Sequence, residues 1–179
     1  MRKVTLYITV SLDGYIADNK GKVDWLKGEH SDSENIDSYG DFVKEVDTVV
    51  MGWNTYHQVA TELSPNEWIY SELTSYIITH RLLPSTDNQK FVRDDPCNII
   101  QNLKKDQGRG IWVCGGANIV QPLMKADLID EYYISIIPTI LGSGIRLWGG
   151  NEKEIKLKLL HTRSYNGITE LVYVRRQDK

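Results

Sequence analysis

Residues Val4 to Leu12 constrain the fold most strongly. The segment is dense in β-branched and aromatic residues, which suit a pleated strand. It is apolar at nearly every position, where a half-exposed strand would alternate. Such a strand is expected to be buried on both faces, as the central strand of a mostly parallel sheet covered by helices is. It stops at Asp13-Gly14, a turn pair. Both covering layers must come from the rest of the chain. Its 179 residues suffice for one domain spanning 1–179. A chain of this length buries roughly 70% of its unfolded surface and needs no metal or disulfide to hold it together.

The downstream sequence supplies those layers by alternation. Residues 31–46 form an expected helix with Ile36, Phe42, Val43 and Val46 inward, weakened at Gly40 by about 1 kcal/mol relative to alanine. Short strands are expected at Asp47–Met51, Tyr76–Thr79 and Phe91–Val92. Asp94-Asp95-Pro96 opens a helix to about Gln107, because an Asp cap accepts from free backbone N–H groups and an early Pro loses no helical bond. Ile111–Cys114 reads as a buried strand, and Ala117–Lys125 as a helix that Pro122 kinks or shortens. Glu131–Ile137 is a further strand. Ile155–Ser164 and Ile168–Arg175 then form an antiparallel hairpin through Asn166-Gly167, a pair that tolerates the positive φ of a type I′ turn. The expected fold is an α/β three-layer sandwich, with a mostly parallel central sheet and an antiparallel C-terminal hairpin. Gly142 to Gly150 is glycine-rich, but Ile145, Leu147 and Trp148 make it too apolar for a tether.

Charge and composition exclude several functions. There are 21 basic and 24 acidic residues, for a formal charge of -3. That argues against a general nucleic-acid or anionic-membrane binder. No run approaches the roughly 20 apolar residues of a membrane span, and the N-terminus lacks the pattern of a signal peptide. Two cysteines, Cys97 and Cys114, form no metal or redox motif, as expected of a reduced cytoplasmic protein. Trp 5 and Tyr 10 stand against Phe 2, so aromatics with a polar tip dominate. These suit partly wet pockets and interfaces.

The segment Ile111-Trp-Val-Cys-Gly-Gly-Ala-Asn118 is the sharpest chemical signal. A strand running through two glycines into a helix presents free N–H groups and the positive end of a helix dipole, an arrangement suited to phosphate. The same pattern also serves as a plain strand-to-helix turn. The GxGxxG and Walker A patterns are absent, so an ordinary Rossmann dehydrogenase or ATPase is not expected. The four histidines, His30, His57, His80 and His161, have no metal-ligand spacing, and no nucleophile elbow is present. No metal site is expected. His80 differs from the others by following a central strand, at Thr79-His80-Arg81, on the sheet edge that carries the glycine pair. Two potential cations there suit a phosphate monoester.

Taken together, the motifs resemble the dihydrofolate reductase-like superfamily, and more closely the C-terminal reductase domains of riboflavin biosynthesis. The resemblance runs in order through Ser11-Leu-Asp-Gly-Tyr-Ile-Ala17, Val23-Asp-Trp-Leu26, Val49-Val-Met-Gly-Trp-Asn-Thr-Tyr56, Val113-Cys-Gly-Gly-Ala117 and Pro138-Thr-Ile-Leu-Gly-Ser-Gly-Ile-Arg-Leu147. It implies a reductase that takes hydride from NADPH. Gly52 and Thr55 would meet the pyrophosphate from one side, and Gly115, Gly116, Ala117 and Asn118 from the other. Thr79, His80 and Arg81 would lie near the adenosine 2′-phosphate. Ile16 and the backbone of Thr9 and Val10 would lie by the nicotinamide.

Trp53 departs from the family, which usually has Arg or Lys there; an indole suits stacking on adenine. The carboxylate that folate reductases carry on the first helix has two candidates, Asp37 and Asp41, which are also candidate proton sources beside water. With neither fixed by spacing, a small heterocyclic substrate other than folate is favoured. Its cleft would be lined by Trp25, Phe42, Tyr56 and Leu141, with Gly142, Ser143 and Gly144 by a polar tail. Trp25 also counts among the candidate catalytic residues. The long hairpin and polar-tipped aromatics point to a homodimer. A pteridine reductase and a non-catalytic nucleotide-binding or dimerisation module are the alternatives. No HxE or PCxxC segment of a zinc deaminase is present.

Overall fold

The computed structural model describes residues 1–30, 38–149 and 154–176. The first strand, β1 (Val4–Ser11), pairs in parallel with β6 (Gly110–Gly115) on one side and β7 (Glu131–Ile137) on the other. Beyond β6 lie β3 (Val46–Gly52), β4 (Thr74–Ile78) and β5 (Gln89–Val92), all parallel. Beyond β7 lie β10 (Ile168–Arg175) and β9 (Leu157–Tyr165), both antiparallel pairings. The full order is β5-β4-β3-β6-β1-β7-β10-β9. The expected central strand, parallel sheet and terminal hairpin are all present. Asn166 and Gly167 turn the hairpin with φ of 47° and 73°, the left-handed conformation a type I′ turn requires.

The two faces of the sheet differ in chemistry. Val4, Leu6, Val50, Ile111 and Val113 point one way and pack against α3 (Pro96–Leu103) and α4 (Ala117–Lys125) in an aliphatic core. Their neighbours Tyr7, Val49, Met51 and Trp112 point the other way, as the two-residue period of a strand demands. They meet α1 (Ser38–Lys44) and α2 (Trp53–Gln58), which continues as a π-helical turn over Val59–Leu63. This second core is aromatic. Tyr7 stacks on Phe42 with centroids 4.4 Å apart, and Trp112 donates through Nε1 to Tyr7 O at 2.9 Å.

Several boundaries differ from the sequence expectation. Val46 was expected on the first helix and instead opens β3, paired with Gly110. The helix ends at Lys44, and residues 31–37, with Ile36, lie outside those described. The helix after Asp94 stops at Leu103, short of Gln107, and its cap is Asp95, whose carboxylate accepts from Cys97 N at 2.8 Å. Pro122 sits inside α4, which still runs to Lys125. Two short strands escaped the sequence reading. β2 (Tyr15–Ala17) and β8 (Ile145–Arg146) make an antiparallel ribbon over the carboxyl end of the sheet. Leu147, fully buried, anchors it to the aliphatic core.

Candidate active site

The carboxyl ends of β3 and β6 lie side by side, so the turn at Gly52 and the turn at Gly115-Gly116 are neighbours. Gly115 has φ of 129°, a conformation that favours glycine, and its peptide bond to Gly116 is cis. The helix α4 begins at Ala117 without a side-chain cap, and α2 begins at Trp53 the same way. First-turn N–H groups at both helices therefore lack a protein side-chain acceptor. A Cβ placed on Gly116 would sit 3.7 Å from Thr55 Oγ1 and 3.8 Å from Ile16 Cδ1. Gly116 thus lines a narrow space between Thr55 and Ile16, and a bare backbone there allows close approach by a pyrophosphate. Among the described residues no group of His, Cys, Asp and Glu is arranged to hold a metal.

Asp13 ties the neighbouring loops together. Its Oδ1 accepts from Ser11 Oγ at 2.7 Å and from Leu141 N at 3.1 Å, and its Oδ2 accepts from Gly142 N at 2.7 Å. The Ser11 hydroxyl and the two amides lower its carboxyl to about 2. Tyr15 OH donates to Gly142 O, Asn19 Nδ2 to Ser143 Oγ, and Leu147 N to Gly14 O. The loops 11–19 and 139–147 are thereby one clamp beside Ile16. The sequence showed Asp13 only as a turn residue.

The sheet beside β1 carries a buried carboxylate that sequence reading also missed. Thr9, Ser135, Glu170 and Arg163 stand in one row across β1, β7, β10 and β9. Glu170 is 1% exposed. Its Oε1 accepts from Ser38 Oγ at 2.6 Å and Tyr165 OH at 3.0 Å, and its Oε2 from Tyr133 OH at 2.9 Å and Arg163 at 2.7 Å. Burial raises its pKa, and these donors outweigh that, leaving the carboxyl below the usual range. Ser38 Oγ also lies 3.4 Å from Tyr7 OH, whose pKa burial pushes up to about 12.

The other expected site residues fall into three groups. Thr9, Ile16, Gly52, Thr55, Gly115, Gly116, Ala117 and Asn118 lie at the carboxyl edge, with Val10 buried beside them. Thr79, His80 and Arg81 follow β4 at that same edge, next to Trp53. Leu141, Gly142, Ser143 and Gly144 belong to the Asp13 clamp.

The remaining expected residues lie elsewhere than the cradle, or differ from the expectation. Asp41 is exposed and pairs with Lys44 at 3.0 Å. Asp37 lies outside the described residues. Phe42 is a core residue, 7% exposed and stacked on Tyr7, rather than a cleft wall. Tyr56 turns toward Trp68 and Phe91, because one residue along a helix rotates it away from the Thr55 direction. The Trp53 ring carries the Arg81 guanidinium 4.5 Å from its centroid, so that face is not open to adenine. Trp25 is half-buried in a loop whose Nε1 donates to Lys22 O; Gln58 and Glu62 fasten that loop to the end of α2.

The sheet order, the glycine turn and the terminal hairpin define a dihydrofolate reductase-like α/β protein. Within that class the chain belongs to the RibD C-terminal domain family, whose profile matches residues 2–169. The uncharacterized protein YwjB of Bacillus subtilis strain 168 is 39% identical over 175 residues, covering 97% of this chain and 98% of its own. A Shewanella sp. PV-4 protein described as a riboflavin biosynthesis protein superposes with a TM-score of 0.84 at 29% identity, covering 99% of this chain and 100% of its own. A diaminohydroxyphosphoribosylaminopyrimidine deaminase/5-amino-6-(5-phosphoribosylamino)uracil reductase from Thermotoga maritima shares the fold, with a TM-score of 0.70 at 14% identity. This chain covers 57% of that protein and is itself covered to 98%. Among the described residues no helix is long and apolar enough to cross a membrane.

Proposed function

We propose that this protein is an NADPH-dependent reductase of a small heterocyclic substrate. The observation that carries the reading is the cradle at Gly116, flanked by Thr55 and Ile16 and backed by two uncapped helix starts. Backbone amides at these starts are suited to a pyrophosphate, which a chain of net charge -3 must hold by local devices. Bound NADPH supplies the hydride; the chain supplies position and electrostatics. Thr9 and Ile16 would fix the nicotinamide ring, and the Asp13 clamp would hold Leu141 to Gly144 against the substrate. Glu170 is saturated with donors and held ionised, so it does not donate a proton. The proton comes from water, or from Asp37.

The substrate class resembles the one named for the Thermotoga protein, a 5-amino-6-(5-phosphoribosylamino)uracil. The test is NADPH oxidation followed by absorbance with this compound and with dihydrofolate. Turnover of the aminouracil alone supports the reading, turnover of dihydrofolate replaces it with a pteridine reductase, and no cofactor binding at millimolar NADPH leaves a non-catalytic module.

We also infer that the chain works as a homodimer in the cytoplasm. Support for the dimer is an apolar surface at β7, β10 and β9. There a cavity of about 390 Å³ is lined by Ile136, Leu157, Leu171 and Tyr173 beside Trp148 and Leu12, which are 40% and 62% exposed. Sedimentation equilibrium decides it: a monomer at micromolar concentration removes the dimer. Support for the compartment is the pair of free cysteines, Cys97 and Cys114.

A further inference from the structure

The strands β3 and β4 end together, with Gly52 opposite Ile78. They release Trp53 and the turn Thr79–Arg81 at one point of the carboxyl edge. There the Arg81 guanidinium lies over the Trp53 ring, 4.5 Å from its centroid. Thr79 Oγ1 accepts from Arg81 N at 3.1 Å and fixes where the side chain starts. The Trp53 ring is itself flanked by Tyr56 and His57, with centroids 5.5 and 5.6 Å away.

Arg146 is held in the same way over the Tyr15 ring, 4.6 Å from its centroid, whereas three other arginines are ion-paired. Arg2 meets Asp47, Arg163 meets Glu170 and Arg175 meets Asp127. Each of those pairs orders the guanidinium and cancels its charge. Among the described residues Arg81 has no carboxylate partner, and its side chain is exposed. An indole face orders a guanidinium through its quadrupole without neutralising it. The edge N–H groups then stay free for a two-point acceptor, the geometry in which arginine binds phosphate. An exposed arginine without such a platform must lose its rotamer freedom at the moment of binding.

We propose that Trp53 is a positioning residue. It holds the Arg81 guanidinium ordered and uncancelled at the place where a phosphate monoester on the adenosine end of the cofactor binds, and so sets the preference for NADPH over NADH. The proposal rests on the cofactor reading above.

Nicotinamide fluorescence titrations of the full chain with NADPH and with NADH test it. The wild type binds NADPH at least about tenfold more tightly. Arg81→Ala and Trp53→Ala each bring NADPH down to the level of NADH and leave NADH itself unchanged. Trp53→Phe keeps a ring face and restores most of the ratio. Trp53→Leu keeps apolar packing without a ring and loses the ratio, which separates the stacking from a general loss of structure. A Trp53→Leu protein that keeps the ratio while Arg81→Ala loses it overturns the role of Trp53. A ratio unchanged in both overturns the pair as the phosphate site, with the cofactor reading intact. A wild type that binds neither nucleotide at millimolar concentration overturns the cofactor reading, and the pair falls with it.

Discussion

The two ends of the sheet are built from opposite materials. At the amino end, charges are paired. Arg2 is buried against Asp47 and donates to Thr48 Oγ1 at 2.7 Å and Arg109 O at 2.8 Å. Lys3 meets Glu131, Lys104 meets Asp130 and Arg175 meets Asp127. At the carboxyl end stand Gly52, Gly115 and Gly116, two uncapped helix starts and the uncancelled Arg81. A folded chain tolerates open donors only where water or a ligand reaches them. One end therefore closes the molecule, and the other is left with capacity to bind.

The contrast breaks or holds first at Gly116. Gly116→Val should reduce NADPH affinity more than about 100-fold by filling the space beside Thr55 and Ile16. The melting temperature should stay at the wild-type value, because Gly116 has an ordinary φ of -82°. A loss of folding in place of binding would put this glycine with the amino-end devices. The mirror experiment is Asp47→Ala, which strands the buried Arg2 guanidinium. Urea unfolding should show a loss of about 3 kcal/mol, with NADPH affinity unmoved. Affinity falling in step with stability would show that the two ends are coupled.

Glu170 sharpens the comparison, since it is a fully paired charge near the binding end. Glu170→Gln should cost about 2 kcal/mol at pH 7. A carboxyl held below its ordinary pKa stabilises the fold above that ordinary value and stops doing so as pH falls through the native one. The gap between the wild type and Glu170→Gln should therefore narrow as pH falls below the ordinary carboxyl value and close only below the lowered native one, read by urea unfolding across pH. Curves that stay parallel would mean that Glu170 is not ionised in the native state.

The smallest effect belongs to Asp13→Asn. Asn keeps one acceptor oxygen and loses the charge that holds two amides and a hydroxyl. Its melting temperature should lie slightly below wild type at pH 7. The gap should close as pH falls from the ordinary carboxyl value toward about 2, in calorimetry at pH 7 and pH 2.5. A gap that persisted at the lower pH would assign the effect to packing.

Much of the fold was legible because its signals are local. A strand apolar at nearly every step lies between two others, and Asn166-Gly167 makes a hairpin. The glycine turn was legible for the same reason. Phe42 and Tyr56 were misplaced because a cleft wall and a core are both apolar in a sequence, and a single helical step decides between them. The ribbon of β2 and β8 was illegible: its strands are three and two residues long and their partners lie about 130 residues apart. Glu170 was within reach. A type I′ turn at Asn166-Gly167 fixes Tyr165 against Ile168 and hence Arg163 against Glu170. That opposed pair was a sequence signal for a shared face, although nothing local told that Ser38 and Tyr133 would close over it.

The bond between Ser38 and Glu170 spans 132 residues. At about 5–20 residues per second of synthesis, the carboxylate leaves the ribosome on the order of ten seconds after the serine. Throughout that interval Ser38 has no carboxylate to donate to, and β7 has no β10 to lie against. The contact between α1 and β10 is therefore among the last to form as the chain is made. A nascent chain released before residue 170 would contain Gly52, Gly115 and Gly116 without the strand whose carboxylate steadies α1.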